Sequence, residues 1–214
     1  KIKKKFVNKN HVWNIHYSLL PKYRGRHSVI WSILNNETTF GLTIHKMNEY
    51  IDDGPIIYQY KFTNLGQTSR QVIEKCNFHV KQNLAKILKN FLLSKIKLKN
   101  QNRNKATWVY KRNYDDCIIN FNYSVLYTKC LFRALVDPYP LPRIKIKKKI
   151  LEITDSKLIK KKSHITNGGI KTVVNNKAWI KLKDGFLILK KVRDASSKKN
   201  IRINEIFKAG MKLK

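Results

Sequence analysis

The sequence predicts an α/β protein built from two parts. Over residues 12–93, short apolar strands alternate with two segments of helical periodicity, and after a polar stretch at 97–105 the pattern changes to many short strands. The chain has 214 residues, of which 42% are hydrophobic and 11% aromatic, enough for a full core and too many for general disorder. We expect two domains, residues 1-97 and residues 105-214, joined by the polar stretch.

The first part contains the strands and helices of one expected sheet. Three strands are predicted, over residues 12–16, 40–47 and 55–62. The last two flank a tight turn at Asp52-Asp53-Gly54. A short helix is predicted from Ser28 to Leu34, and a capping box at residues 68–71 starts a long amphipathic helix that ends near Leu93. We expect parallel or mixed strands in this sheet, with the long helix packed across it.

The second part is predicted to be rich in strands. A helix over residues 124–136 ends before Asp137-Pro138. Short strands follow at residues 143–147, 150–153, 170–174, 178–182 and 186–192. Turns at Gly168-Gly169 and Asp184-Gly185 separate them. So many short strands in so short a stretch predict a small barrel of the oligonucleotide/oligosaccharide-binding (OB-like) type.

The charge of the chain has two interpretations. The formal net charge is +33, and phosphate contacts through Lys and Arg dominate nucleic-acid binding. The excess is also spread along the whole chain, with 18 Lys and Arg against 5 Asp and Glu in residues 1–100 and 28 against 8 in residues 101–214. An even spread is typical of biased composition, so charge alone leaves both a functional anionic partner and compositional drift open.

Other features restrict the class of protein. No apolar run reaches the roughly 18–20 residues needed to span a bilayer, so we expect no membrane partner. The three cysteines, Cys76, Cys117 and Cys130, are widely spaced and odd in number. This pattern favours reduced thiols in a cytoplasmic protein over a disulfide framework or a metal site.

One cluster of residues carries chemistry. Asn14 and His16 lie two apart on a predicted strand and therefore share a face. Asp52, on the turn after the next strand, is a carboxylate that can orient an imidazole. An amide, an imidazole and a carboxylate together suit acyl transfer, because the amide binds a developing oxyanion and the imidazole moves a proton. Spacing alone leaves open the alternative that each side chain only makes a local hydrogen bond.

The neighbouring residues extend this pattern. The segments 14–25 (NIHYSLLPKYRG), 41–45 (GLTIH) and 52–57 (DDGPII) resemble the folate-dependent formyltransferases, which include the methionyl-tRNA, glycinamide ribonucleotide and nucleotide-sugar enzymes. The resemblance implies that Asn14, His16 and Asp52 are the catalytic residues. It also implies that 10-formyltetrahydrofolate is the co-substrate, and that no metal takes part. Asp53 stands where many members have Thr or Ala, so Asp52 is the better candidate for the catalytic carboxylate.

The resemblance also implies a domain organisation. Family members have further strands before the Asn-x-His strand, so we expect residues 1-97 to be the later half of a Rossmann-like catalytic domain. Weaker similarity at residues 106–108, 133–140 and 185–192 resembles the carboxy-terminal barrel of the tRNA and sugar enzymes. The glycinamide ribonucleotide enzymes lack that barrel.

The expected substrate follows from two segments. Arg24-Gly25-Arg26-His27 with Trp31, and residues 137–140, resemble the nucleotide-sugar branch, so the expected acceptor is the amino group of a nucleotide-linked aminosugar. Methionyl-tRNA is the alternative acceptor, and a basic nucleic-acid-binding module without catalysis is a second alternative. A homodimer is left open. The candidate substrate-binding residues are Ser18, Arg24, Arg26 and Trp31, and the candidate cofactor-binding residues are Asp52, Asp53 and Gly54.

Overall fold

The computed structural model describes residues 12–213. Residues 12–112 form one compact unit and residues 113–213 form another. Residues 98–112 therefore belong with the first unit. The predicted domains 1-97 and 105-214 stay a prediction, and their outer ends at residues 1 and 214 lie outside the described residues.

The first unit is a small sheet with helices. Its elements are β1 (Trp13–His16), β2 (Arg24–Gly25), α1 (Ser28–Leu34), β3 (Thr39–Lys46), β4 (Ile56–Thr63), α2 (Ser69–Leu92), a 3-10 turn (Arg103–Lys105) and β5 (Trp108–Val109). The mixed α/β class and the two predicted helices are confirmed. The short parallel pair of β2 and β5, which joins residues 24–25 to residues 108–109, was not predicted.

The direction of the strands differs from the expectation. The sheet order is β1-β3-β4, and both pairs are antiparallel. The prediction of parallel or mixed strands in this sheet is therefore wrong for the described residues. Between β3 and β4 the reason is length, because the loop over residues 47–55 is too short for the crossover that parallel strands need. Residues 17–38 between β1 and β3 are long enough for either direction, and the sequence pattern did not distinguish the two.

Helix α2 begins and packs as its sequence predicts. The Thr68 hydroxyl accepts a hydrogen bond from the backbone N–H of Gln71, and the Gln71 side chain accepts one from the backbone N–H of Thr68. Val72, Cys76 and Ile87 are its buried apolar positions, and the helix packs against α1 and β3. Full burial of a Val or Ile side chain stabilises a protein by about 1.5–3 kcal/mol, so this face anchors the helix to the sheet.

The pairing of β1 with β3 creates a polar face at one end of the sheet. Asn14 lies opposite His45, and His16 lies opposite Thr43. Directly opposed residues of an antiparallel pair point to the same side. Leu42 and Ile44, which alternate with these positions, are buried apolar residues of the other face. The strand alternation thus brings one amide and two imidazoles together.

The second unit is built around a long antiparallel pair of strands. It contains a 3-10 turn (Asp115–Cys117), α3 (Val125–Ala134), β6 (Arg143–Ile146), β7 (Lys149–Lys160), β8 (Ile170–Val174), β9 (Lys177–Leu182), β10 (Gly185–Asp194), β11 (Asn200–Ile201) and α4 (Ile203–Ile206). Strand β7 runs well past the predicted end at residue 153, because β10 pairs with it as far as Lys160. Polar residues occupy much of that extension, so the sequence pattern did not predict a strand there.

The predicted OB-like barrel is not confirmed. The strand order is β6-β7-β10-β9-β8, with β11 paired to β10. Within residues 113–213, no pairing joins β6 to β8, so strand pairing does not close the described sheet into a barrel. The β-rich character of this unit is confirmed. Strand number and alternation are the same in a closed barrel and an open curved sheet, so the sequence pattern did not separate them.

Cys76, Cys117 and Cys130 are buried thiols that form no disulfide within residues 12–213. In that same part of the chain, no helix is both long enough and apolar enough to cross a membrane.

A buried carboxylate joins β7 to its two neighbouring strands in the second unit. Glu152 on β7 is 2% exposed. It accepts from Arg143 Nη2 at 3.0 Å, Arg193 Nε at 2.8 Å and Lys198 Nζ at 2.8 Å. Arg143 and Arg193 are its direct cross-strand neighbours on β6 and β10. These hydrogen bonds outweigh the effect of burial and lower the pKa of Glu152.

We predict that Glu152→Gln lowers the free energy of unfolding of this unit by about 3 kcal/mol, because it leaves partly buried cations without their counter-charge. The lowered pKa means that the carboxylate stabilises the fold above the ordinary pKa of a Glu, and that this contribution is lost as pH falls through the lowered value. Hydrogen exchange of the β7 and β10 amides measures both effects. The matched control is Asp155→Asn on the same strand, which removes one half-exposed ion pair with Lys190 and should change stability by less than about 1 kcal/mol. Equal losses in the two variants would contradict the prediction.

Candidate active site

The carboxylate of Asp52 is the centre of a compact polar cluster. Its Oδ1 accepts a hydrogen bond from Asn14 Nδ2 at 3.2 Å and lies 3.5 Å from His45 Nε2. Its Oδ2 accepts from the backbone N–H of Gly25 at 2.9 Å and lies 3.6 Å from His16 Nδ1. The structure therefore brings together the three residues singled out as catalytic, Asn14, His16 and Asp52.

The turn that carries Asp52 is held against the end of β3. Asp52 has φ 49°, in the left-handed region that Asp tolerates better than most residues. A Cβ atom at Gly54 would lie 1.7 Å from the carbonyl oxygen of Lys46, so only glycine permits this close approach. In the Asp-x-Gly element, position 54 thus requires glycine for steric reasons, and Asp52 supplies the carboxylate.

His16 is fixed by a backbone carbonyl on its other side. Its Nε2 lies 2.8 Å from the carbonyl oxygen of Tyr23, and since a carbonyl only accepts, this contact assigns a proton to Nε2. In the neutral ring, Nδ1 then carries no proton and faces Asp52. A proton added at Nδ1 would lie beside a carboxylate.

Electrostatic effects keep Asp52 ionised and His16 neutral near neutral pH. Burial lowers the pKa of His16 below the usual value, against the raising effects of Asp52 and the Tyr23 carbonyl. Burial raises the pKa of Asp52, but the hydrogen bond from His45, the His16 charge and the Gly25 N–H outweigh it, and the net shift is downward. The site therefore holds an ionised carboxylate beside a neutral imidazole that can take up a proton.

Asp53 faces different partners from Asp52. Its Oδ1 lies 2.6 Å from Arg24 Nη1, and its Oδ2 accepts from Arg103 Nη2 at 2.7 Å. The Arg103 hydrogen bond and the Arg24 charge outweigh burial and lower the pKa of Asp53. Arg24 is 3% exposed, and its guanidinium also donates to Gln101 Oε1 at 2.7 Å. Arg24, one of the candidate substrate-binding residues, is thus engaged within the protein.

The other candidate binding residues have separate surroundings. Ser18 is buried, and its hydroxyl donates to the Lys22 carbonyl at 2.7 Å. Arg26 is exposed. Trp31 is half-buried, donates from Nε1 to the Tyr110 carbonyl at 3.0 Å and lies under the Arg112 guanidinium at 5.0 Å. Of these three, Arg26 presents a side chain to solvent close to the Gly25 amide that holds Asp52.

Sequence reasoning did not single out three contributors to the site. His45 faces Asn14 across the β1–β3 ladder, so the antiparallel register would have revealed it. The amide of Gly25 is a backbone donor, which residue type does not reveal. Gln101 donates to the carbonyl oxygens of Asp52 and Gly54 at 2.8 and 2.7 Å, from a segment with the composition of a polar linker.

A cavity borders the turn at residues 52–54. It has a volume of about 550 Å³ and is lined by Arg24, Glu49, Tyr50, Ile51, Asp53, Arg103 and Trp108. Tyr50 and Trp108 are each more than half exposed. In residues 12–213, no cluster of three or more His, Cys, Asp or Glu side chains has an arrangement that could hold a metal ion.

The amide, imidazole and carboxylate at the end of this sheet define a site suited to acyl transfer. A family profile described as formyl transferase matches residues 2–88, and one described as formyl transferase, C-terminal domain, matches residues 111–210. The two profiles together match most of the chain, and the chain belongs to the formyl transferase family.

Individual relatives share different parts of it. The chain is 35% identical over 129 residues to the bifunctional polymyxin resistance protein ArnA of Wigglesworthia glossinidia brevipalpis, covering 60% of this chain and 20% of that protein. It is 29% identical over 209 residues to the methionyl-tRNA formyltransferase of Finegoldia magna, covering 95% of this chain and 66% of that protein. The chain thus spans less than two thirds of the length of both curated relatives.

Among solved structures, the chain is similar to the N-formyltransferase from Helicobacter canadensis in complex with folinic acid and dTDP-3-aminofucose. The TM-score is 0.56 with 25% identity, over 89% of this chain and 66% of that one.

We predict that Asp52→Asn lowers the pKa of His16 further, because it removes the charge that opposes the effect of burial. The measurement is an NMR titration of labelled histidine, with the His16 resonance assigned through a His16→Gln variant. The matched control is Asp155→Asn in the second unit, which should leave the His16 titration unchanged. A His16 pKa that rises or stays constant in Asp52→Asn would contradict the geometry described above.

Proposed function

We propose that the protein containing this chain transfers a formyl group from 10-formyltetrahydrofolate to the amino group of a nucleotide-linked aminosugar. The observation that carries the proposal is the contact of one carboxylate, Asp52, with both Asn14 and His16. Membership of the formyl transferase family and the folinic acid in the Helicobacter canadensis complex support the folate donor.

The donor set of the site fits a formyl carbonyl that becomes negatively charged. The Asn14 amide is a half-buried N–H donor, and such a donor stabilises an oxyanion more in a water-poor site than in water. Asp52 fixes this amide through the 3.2 Å hydrogen bond. When the incoming amine attacks, a C–N bond forms and the formyl oxygen gains charge, and Asn14 donates to that oxygen.

Proton movement is the task of His16. The attacking nitrogen must lose a proton, and the departing folate nitrogen must gain one when its bond to the formyl carbon breaks. His16 accepts the proton at Nδ1, where Asp52 lies 3.6 Å away and stabilises the imidazolium. The same ring then donates the proton to the departing nitrogen, so protons and bonds balance over the reaction.

The nucleotide-sugar acceptor is the finer part of the proposal. The Arg24-Gly25-Arg26-His27 segment favours it, as does the dTDP-3-aminofucose in the Helicobacter canadensis complex. Because Arg24 is paired with Asp53, we assign the role of binding nucleotide phosphates to the exposed Arg26. We further place the protein in the cytoplasm, since its buried cysteines suit a reducing compartment.

Methionyl-tRNA is the second candidate acceptor. Its support is the similarity to the Finegoldia magna enzyme over 95% of the chain and the net charge of +33. An RNA acceptor predicts steep weakening of binding with salt, whereas a nucleotide sugar carries only a few charges and predicts a shallow dependence. A basic module without catalysis would bind RNA and ignore folate.

We predict that the complete protein formylates a dTDP-linked aminosugar at least tenfold faster than methionyl-tRNA, a difference of about 1.4 kcal/mol in activation free energy. The measurement is turnover of both acceptors side by side with 10-formyltetrahydrofolate, followed by mass spectrometry of the product. The reaction mixture without protein is the control for uncatalysed transfer. Efficient formylation of tRNA without a sugar reaction would transfer the assignment to the second candidate. If both acceptors react no faster than the control, the enzymatic proposal is wrong.

A further inference from the structure

A segment with the composition of a linker contacts the turn that carries the catalytic carboxylate. We call residues 99–109 the strap. One end is fixed to β4 by two hydrogen bonds between the backbones of Lys99 and Ile56, at 2.8 and 2.9 Å. The other end is fixed to β2, where the backbone N–H of Arg24 donates to the Thr107 carbonyl at 2.8 Å. Both anchors lie in the first unit, so the strap is part of the framework around the site.

Gln101 uses its whole side chain to hold this turn. The amide nitrogen donates to the carbonyl oxygens of Asp52 at 2.8 Å and Gly54 at 2.7 Å, and the amide oxygen accepts from Arg24 Nη2 at 2.7 Å. The two carbonyls flank Asp53, so one amide spans the turn. A neutral amide supplies two donors and one acceptor in this geometry, which neither a carboxylate nor an ammonium group provides.

The contacts of Arg24 and Arg103 close this network. Arg24, which donates to Gln101, also pairs with Asp53 at 2.6 Å, and Arg103 on the strap pairs with the second oxygen of Asp53 at 2.7 Å. The residue after Arg24 is Gly25, whose N–H holds Asp52 Oδ2 at 2.9 Å. The backbone and the side chain of the turn are thus tied to β2 and to the strap together.

The left-handed conformation of Asp52 makes this support necessary. A non-glycine residue at φ 49° is less stable than one in an ordinary conformation, and it persists where the surroundings fix it. If the turn relaxed, the Asp52 carboxylate would move away from His16 Nδ1 and from the Asn14 amide. Catalysis is sensitive to small displacements of the reacting groups, since a misplacement of about 1 Å can cost on the order of 10² in rate.

We propose that Gln101 is a positioning residue for the Asp52 carboxylate, and that the strap is thereby a working part of the active site. The role in catalysis rests on the proposed function, but the geometric claim does not. Gln101 touches neither His16 nor Asn14 and acts through the backbone of the Asp52 turn.

The test compares Gln101→Ala with a matched control, Gln59→Ala. Gln59 also donates two hydrogen bonds from its amide, to the Leu20 carbonyl and to Thr43 Oγ1, both at 2.9 Å, but it makes no contact with the turn. The first readout is the NMR titration of His16, whose ring is faced by Asp52, His45 and the Tyr23 carbonyl. The second readout is the separate measurement of kcat and KM on the complete protein.

We expect Gln101→Ala to lower the pKa of His16 and to reduce kcat by roughly 10–100-fold with little change in KM for the amine. Gln59→Ala should leave the His16 titration at the wild-type value. If Gln101→Ala does not fold, Gln101→Leu serves instead, because it keeps most of the side-chain volume, removes the donors to the two carbonyls and adds no charge near His16. A folded Gln101 variant with a wild-type His16 titration overturns the proposal. If the wild-type protein formylates no amine, the proposed function fails, and the titration still decides whether Gln101 positions Asp52.

Discussion

The polar end of the first unit is organised by one half-buried carboxylate and the groups that hold it. Asp52 meets Asn14 and His45 through one oxygen and Gly25 and His16 through the other. These partners come from β1, β2 and β3, so the carboxylate joins three strands that are separate in sequence. Moving an ionised carboxylate out of water costs free energy unless hydrogen bonds and opposite charges compensate. The turn and the strap supply that compensation by fixing where the carboxylate lies.

The same solution recurs at other buried acids. The chain has 46 Lys and Arg against 13 Asp and Glu, and two of its most buried acids each attract several cations. Asp53 lies between two arginines, and Glu152 lies among two arginines and a lysine. In each case the pKa of the acid is lowered although burial acts in the opposite direction. In this basic chain, the few buried carboxylates hold separate segments of each unit together through their contacts with cations.

Sequence patterns predicted what local chemistry determines. The α1 helix has the predicted bounds, and the capping box at Thr68 placed the start of α2. The Asn-x-His and Asp-x-Gly elements identified residues that meet in space. Spacing alone left that choice open, and the resemblance of the neighbouring segments to the formyltransferases selected Asn14, His16 and Asp52. The catalytic assignment itself stays a prediction, since geometry brings the residues together without measuring what they do.

The remaining features depend on contacts between distant segments. Strand direction, the unclosed second sheet and the length of β7 follow from pairing, which alternation does not encode. Gln101 lies in a polar stretch with the composition of a linker, and its role follows from where Lys99 and Thr107 attach. Arg24 belongs to an arginine-rich segment of the sequence, and in the structure it is a buried partner of Asp53.

The central claim is that Asn14, His16 and Asp52 act as one unit, and a double-mutant cycle tests it most directly. Turnover of the complete protein is measured for His16→Ala, Asp52→Asn and the combination, with folding checked by circular dichroism. Each single change should reduce turnover by on the order of 10²–10³, and the double variant should be little worse than the poorer single variant, because residues that act together are non-additive. Losses that multiply in the double variant would mean independent roles, and single variants that stay near wild-type turnover would contradict the account.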